Sequence, residues 1–401
     1  MMTGVCHGQT WTPVLAERDM PPAAGATVAE AVGEIAARAE DSFVPHRLLA
    51  ERGIGRRAVN MTYRFFKLAA FDVPQEDWLR VANHEVFGHG GRLRELFDGP
   101  VFYSVPAPPP YGRGGGATFF SFDREPTFNE LMAISAGGME ADTVAAERLA
   151  LQSMSRGSMH VRDAIRYVLF QLDTIDYILR TGDGPEKPGH DVGDFLDIYN
   201  EVASLTGTSS LTPKMLRRRV LLSFANPLLA EAVYSIAIGY VWRGDLRTPL
   251  PTIRVGNARY LPLARFQLTP FGTEWTVDNL VLQGERTFDV AVRAGGGHGV
   301  RAWGTHLTAV RLTSWQRWEL GGTIDVWRQP SLALDDKLSA DVASWGTSAK
   351  IAVTRPLFTL RPFPVAASFM IEAGFKTRGH VAGERLDAGS VVRVGLGLGL
   401  P

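Results

Sequence analysis

Residues 391–400 read Val-Val-Arg-Val-Gly-Leu-Gly-Leu-Gly-Leu. Side chains alternate across a strand. Val392, Val394, Leu396, Leu398 and Leu400 therefore share one face, opposite Val391, Arg393, Gly395, Gly397 and Gly399. One face is apolar and the other nearly bare. A soluble core seldom leaves a face without side chains. In an outer-membrane strand the apolar face meets lipid and the small or polar face meets the lumen. In a soluble sandwich or calycin-like barrel the apolar face would point inward instead.

The pattern extends upstream. Residues 258–268, 273–284, 287–293, 299–312, 316–328, 340–353 and 364–377 are short alternating segments separated by turn residues such as Gly295-Gly-Gly-His298. In 287–293, Phe288, Val290 and Val292 oppose Asp289, Ala291 and Arg293. Six of the nine tryptophans, Trp275, Trp303, Trp315, Trp318, Trp327 and Trp345, fall in this half, as interfacial aromatic girdles require. The expectation is an antiparallel β-barrel of about eight strands over residues 255–401.

Residues 25–245 carry helical periodicity instead. Thr27-Val-Ala-Glu30 reads as a capping box followed by a face of Val28, Val32, Ile35 and Ala39. A helix from Pro74 leads toward His84. Thr127-Phe-Asn-Glu130 opens a long helix to about Leu151. Further helices are expected at 161–180 (face Ile165, Val168, Leu172, Ile175, Leu179), at 194–205 and from Thr212-Pro213. Residues 103–118, rich in proline and glycine, read as a flap or extended edge. Val220–Trp242 is the most apolar stretch, but Asn226-Pro227 and Glu231 argue for a buried helix pair over a membrane-spanning helix. Helices followed by strands make the fold class α+β.

Lys plus Arg equals Asp plus Glu, 42 each, so no global basic field exists to attract nucleic acid. The single cysteine, Cys6, excludes a disulfide framework and a Cys-rich zinc cage. Met1–Ala16 lacks the charged and then apolar pattern of a signal peptide. No Gly-x-Ser-x-Gly elbow supports a serine hydrolase.

The chemistry centres on Asn83-His84-Glu85-Val86-Phe87-Gly88-His89-Gly90-Gly91. Two imidazoles beside a carboxylate are what a zinc hydrolase needs: ligands, and a base for the attacking water. The histidines are spaced i,i+5, however, not i,i+4. On an α-helix that leaves them about 140° apart, at ~100° per residue. One extra residue in the turn, a π-type bulge at Val86–Gly88, would realign them. A third ligand is expected from the 127–151 helix. Glu140 is the first choice, because Ala136 and Gly137 remove bulk one turn earlier. Asp142 and Glu147 remain open as ligands or as groups orienting a histidine, and Asn83 as another such group. Glu130 is explained by its capping box. Tyr103, Tyr111 and His190 are open as oxyanion partners. A di-iron centre would use the Glu85/His89 i,i+4 pair, but no second Glu-x-x-His element appears.

His-Glu-Val-Phe-Gly-His-Gly resembles the His-Glu-x-x-Gly-His-Gly segment of TldD-like metallopeptidases, although that family's late cysteine ligand is missing. Gly137-Gly-Met-Glu-Ala-Asp-Thr-Val-Ala-Ala-Glu147 is similar to the Glu-Ala-Asp helix of gluzincins related to the HtpX peptidases. The ligand glutamate of that pattern falls at Gly138 here. Together the two motifs span under a tenth of the chain.

The combined expectation is a helical zincin-like domain (25–245) joined to the barrel. Zn²⁺ would be held by His84, His89 and Glu140, with Glu85 as general base, cleaving peptide bonds of membrane-associated or periplasmic proteins. The setting would be a bacterial-type outer membrane or the periplasm. The alternative is a non-catalytic outer-membrane protein whose helical part plugs the barrel or binds a partner.

Overall fold

The computed structural model describes residues 11–50, 53–182, 184, 189–334, 342–360 and 365–399. Cys6 lies outside them. The helices are α1 (Pro22–Phe43), α2 (Ile54–Lys67), α3 (Val73–Ala82), α4 (Gly90–Leu96), α5 (Phe128–Arg156), α6 (Val161–Arg180), α7 (Asp191–Thr206), α8 (Pro213–Val220) and α9 (Pro227–Tyr234). Three π-helical segments interleave with them, at Leu68–Asp72, Asn83–His89 and Ser235–Arg243. The strands are β1 (Trp11–Ala16), β2 (Val101–Ser104), β3 (Ala117–Phe120), β4 (Ser158–His160), β5 (Arg247–Pro249), β6 (Ile253–Val255) and β7 (Ala258–Thr269). There follow β8 (Gly272–Gln283), β9 (Arg286–Gly297), β10 (Val300–Trp315), β11 (Trp318–Pro330), β12 (Ala343–Leu360), β13 (Val365–Lys376) and β14 (Gly389–Gly399).

The expected closed barrel does not form. Ten strands make one open antiparallel sheet in the order β1-β14-β13-β12-β11-β10-β9-β8-β7-β6. Closure would require the long strands β7 and β14 to meet, and both have other neighbours. The C-terminal part of β14 pairs with β1, from Trp11↔Gly399 to Ala16↔Val394. β1 carries Pro13, which lacks the N–H needed to donate to a further strand, so it suits an edge. On the other side β6 covers only the first residues of β7, and helix α9 with residues 221–225 packs along the rest.

The sheet is apolar on its outer face, as the alternation in 391–400 anticipates. Val392, Val394 and Leu396 are 55%, 43% and 63% exposed, whereas Val391 and Arg393 are buried. Val290, Val292, Trp303, Leu307, Ile324, Trp345, Ile351 and Phe375 are exposed on neighbouring strands. Trp327, by contrast, is buried on the inner face, and Trp275 is half-buried against Phe266. The inner face carries charge, held in pairs. Arg265 bonds Asp278 through both Nε and Nη2 (2.8 and 2.9 Å), and Arg393 bonds Glu17 (2.6 Å) and Glu384 (2.6 Å).

Helix α1 shows the same inversion. It starts at Pro22, a residue whose fixed φ suits the first turn, five residues before the expected box. Thr27 is instead fully buried, accepting from the Leu15 N–H (2.9 Å) and donating to the Ala24 carbonyl (2.6 Å). Ala24, Ala26, Ala29 and Ala31 face the protein, while Val32 and Ile35 face out. The Thr127/Glu130 box does form and starts α5. Residues 220–242 form a bent element rather than a buried pair. α8 and its 3-10 extension meet α9 and its π-helical extension at 63°, with Leu222 and Trp242 exposed, and no single helix is long and apolar enough to cross a membrane.

Helix α5 runs through the centre. It packs on α1, α6 and α7 and on β7, β8 and β9. One apolar cluster joins Val144, Leu149 and Met154 of α5 to Leu261, Leu263 and Leu280 of the sheet, so the helical and β halves share a core. On its opposite side α5 meets the Asn83–His89 segment nearly backbone to backbone. A Cβ at Gly88 would lie 2.5 Å from the Gly138 Cα and 2.6 Å from the Gly137 carbonyl oxygen. Neither is a flexible atom, so Gly88→Ala should destabilise the fold by about 3 kcal/mol. Chemical denaturation would read this, and an unchanged midpoint would contradict the contact.

Candidate metal centre

The motif contains the extra residue that its spacing requires. Asn83–His89 is one π-helical segment between α3 and α4. It brings the two imidazoles to one side, with His84 Nε2 3.2 Å from His89 Nε2. Both rings are buried.

The carboxylate facing this pair is not Glu140. It is Asp191, at the start of α7, whose Oδ2 lies 3.0 Å from His84 Nε2 and whose Oδ1 lies 3.3 Å from His89 Nε2. A tetrahedral zinc with bonds of about 2.0–2.1 Å separates its ligand atoms by about 3.3–3.4 Å. The imidazole–imidazole separation is within a few tenths of an ångström of that, and each imidazole has one oxygen of the Asp191 carboxylate at a similar distance. These three residues are thus a group with the spacing to hold a metal ion.

Further contacts orient the imidazoles. His89 Nδ1 donates to the Ile134 carbonyl (2.7 Å), which leaves its Nε2 free to ligate. His84 Nδ1 faces Asp173 Oδ2 at 3.2 Å and Asp142 Oδ2 at 3.4 Å. Carboxylates behind a ligating histidine fix its tautomer and raise its basicity. Asn83 donates to Asp142 (2.8 Å), and Arg80 pairs with Asp173 and Asp77. Tyr177 stacks on His84 at 5.8 Å between centroids.

The electrostatics favour positive charge here. Burial alone would depress the His84 pKa, but Asp173, Asp142 and Asp191 outweigh it and hold it well above the ordinary value. His89 is raised in the same way, against burial, chiefly by Asp191. Asp191 is held below the carboxylate range because the histidines, His89 foremost, outweigh its desolvation. Burial and then the neighbouring Asp173 push Asp142 up to about 6.

The remaining candidates separate cleanly. Glu85 stands beside the pair, accepting from Thr118 Oγ1 (2.7 Å), and a Cβ at Gly116 would meet its carboxylate oxygen at 2.6 Å. The Pro/Gly-rich stretch is thus docked on Glu85, its ends paired as the β2–β3 hairpin. Glu140 belongs to a different network, gripped by the fully buried Arg92 (3.0 Å to Nε) and by the Gly383 N–H (2.8 Å). Glu130 caps α5 and pairs with Arg124. Glu147 lies on the far face of α5, where it pairs with Arg265 (2.7 Å). Tyr103 bonds Arg94, Tyr111 bonds the Ala70 carbonyl, and His190 caps α7 next to Asp191.

Position 138 explains the exchange of ligands. A Cβ there would lie 2.1 Å from His84 Nε2. Position 138 therefore abuts the histidines with no room for a side chain, and the acid that faces them, Asp191, stands on α7. Asp173 and Asp191 were not among the sequence candidates. The one available signal for Asp173 was an acid set among the apolar residues of the 161–180 helix, next to Leu172 and Ile175.

Compared with protein-family models, with curated proteins and with solved structures, the chain has no match.

The two carboxylates predict opposite outcomes. Asp191→Asn should remove the metal from the purified protein and leave the fold intact. Glu140→Gln should keep the metal and lose about 3 kcal/mol of stability, since it leaves the buried Arg92 with Glu95 as its one carboxylate partner among the described residues. Elemental analysis paired with denaturation would separate them, and the reverse pattern would restore Glu140 as a ligand.

Proposed function

We propose that the chain is a zinc-dependent hydrolase of peptide bonds, with His84, His89 and Asp191 holding the ion and Glu85 serving as its general base. The observation that carries this is the π-helical turn, which places both imidazoles and the Asp191 carboxylate within 3.0–3.3 Å of one another, with an acid next in sequence. Such turns are rare and concentrate at functional sites.

The chain's own groups divide the work. A bound ion would supply Lewis acidity, polarising the scissile carbonyl and lowering the pKa of the attacking water. Asp142 and Asp173 keep His84 aligned, and the Ile134 carbonyl does the same for His89. Glu85 accepts the proton of the attacking water and returns it to the leaving amine. Thr118 holds the Glu85 carboxylate in place. Two histidines and one acid leave room for substrate, as an active rather than a structural zinc site requires.

The substrate class follows from the surroundings. The outer face of the sheet is an apolar wall, and Val32 and Ile35 of α1 and Leu222 and Trp242 are exposed as well. We infer that this wall lies in a lipid bilayer and that membrane-associated or periplasmic proteins are the substrates. The reading as a non-catalytic partner-binding protein has no specific contact in its favour.

Two measurements test the proposal. Glu85→Gln should retain about one equivalent of zinc and lose at least about 10²-fold in peptide hydrolysis. Chelation should abolish turnover, and zinc should restore it. Purified protein without zinc, or with zinc unchanged in His84→Ala/His89→Ala, would overturn the assignment. For the wall, the full chain should float with phospholipid vesicles. Ile351→Arg, at the apolar face, should weaken this in proportion to a burial cost of up to about 2–4 kcal/mol. Complete recovery without detergent or vesicles would refute the membrane placement.

A further inference from the structure

On the far side of helix α5 from the His84/His89 pair, a partly open cavity of about 650 Å³ lies between the helix and the inner face of the sheet. Glu147, on that far face, and His306, on β10, line the cavity. Beside them stands Asp289 of β9. One ligand atom from each of Glu147, Asp289 and His306 falls within 4.8 Å of the others.

Asp289 is the anomaly. It is fully buried, and neither carboxylate oxygen has a hydrogen-bond partner among the described residues. An unpaired buried carboxylate is among the costliest groups a fold can carry. Protonation would remove the charge but leave a hydroxyl and a carbonyl equally without partners. The guanidinium of this cluster, Arg265, pairs with Asp278 and Glu147 and gives Asp289 no hydrogen bond. Three carboxyl groups, Glu147, Asp278 and Asp289, thus share one arginine and the His306 ring, and their full ionisation leaves negative charge in excess even with that ring protonated.

The histidine is set up for the same task. His306 Nδ1 lies 2.8 Å from Asp325, and its Nε2 lies 2.7 Å from Thr308 Oγ1. With the proton on Nδ1 and donated to Asp325, Nε2 keeps a lone pair, which the Thr308 hydroxyl would yield to an ion by turning its proton to Thr323 Oγ1, 2.9 Å away. This carboxylate–imidazole relay is the arrangement that orients metal-bound histidines, and it repeats what Asp142 and Asp173 do for His84.

We propose that Glu147, Asp289 and His306 form a second divalent-cation site, distinct from the His84/His89/Asp191 centre, in which the ion ties α5 to β9 and β10. The donor set of two carboxylates and one imidazole suits a first-row ion such as zinc or manganese. The cavity gives the ion a route in. The site stands whether or not the first centre is catalytic, because it rests on different residues.

The test uses the full purified chain stripped with chelator and titrated with Zn²⁺ or Mn²⁺, with bound equivalents and melting temperature read together. The wild type should bind two equivalents. Asp289→Asn and Glu147→Gln should each bind one, retain the His84/His89 site, and no longer gain melting temperature from the second equivalent. His84→Ala/His89→Ala should lose the other equivalent and keep this one. Asp325→Asn, which touches only the orienting carboxylate, should weaken the second site by about 10–100-fold. Asp289→Asn needs no metal to fold, because it replaces a stranded charge with a neutral isostere, so a folded variant is expected for the comparison. Stoichiometry and melting shifts in Asp289→Asn and Glu147→Gln identical to the wild type would overturn the site, whatever becomes of the zinc hydrolase.

Discussion

The close approach of Gly88 to Gly137 and Gly138 is the constraint on which the rest depends. Two helical segments ordinarily pack with their axes about 8–10 Å apart because side chains intervene. Here three glycines remove them. The π-helical turn can then press against α5 so closely that a single methyl at 138 would collide with His84 Nε2. This proximity lets Asp142, from one turn further along α5, reach the back of the His84 ring. It also carries His89 to within a hydrogen bond of the Ile134 carbonyl. Bulk at any of the three positions would push the segment outward and take both imidazoles away from their orienting partners.

The same tightness decides which acid faces the histidines. Position 138 is too close to His84 to hold a side chain. Position 140 lies on another side of the helix, where Arg92, fully buried, claims it. The acid must then come from elsewhere, and the N-terminus of α7 is suited to provide it. His190 caps that helix by accepting from the Gly193 N–H, and the first-turn position of Asp191 is one where a carboxylate is favoured by the helix dipole. The cluster is thus built from four elements, α3 with its π-helical continuation, α5, α6 and α7. Its negative groups outnumber its positive ones, and it needs a cation or protons to be stable.

How far the sequence discloses this follows from which contacts are local. His84, Glu85 and His89 are legible because they are contiguous, and the need for one extra residue between them follows from helix geometry alone. Outward and inward faces of the strands are legible because alternation is a property of each strand. Closure of the sheet is not, since it depends on whether β7 meets β14. That contact is pre-empted by β1, a six-residue segment with a proline that reads poorly as a strand. Asp173 and Asp191 lie far from the motif in sequence, and nothing local marks them as its partners. The helix face expected from Ile165, Val168, Leu172, Ile175 and Leu179 holds except at Leu179, which is 38% exposed, but it does not disclose that Arg162, Asp163, Arg166 and Asp173 of α6 are buried as well.

That last feature connects the two faces of the molecule. In α1 and the sheet, charged or small side chains turn inward and large apolar ones turn outward, and α6 buries Arg162, Asp163, Arg166 and Asp173 beside Ile165, Phe170 and Ile178. Apolar clusters hold the helices to one another and to the sheet, as in ordinary folding. The charges buried among them stabilise only when every partner is present. Arg265 with Asp278 and Glu147, Arg393 with Glu17 and Glu384, and Arg92 with Glu140 meet that condition. Asp289 does not, whereas the His84 and His89 rings meet it through Asp191, Asp173 and Asp142. The two clusters lie on opposite faces of α5, the helix that joins the two halves of the fold, and under the two proposals above one cation would complete each of them.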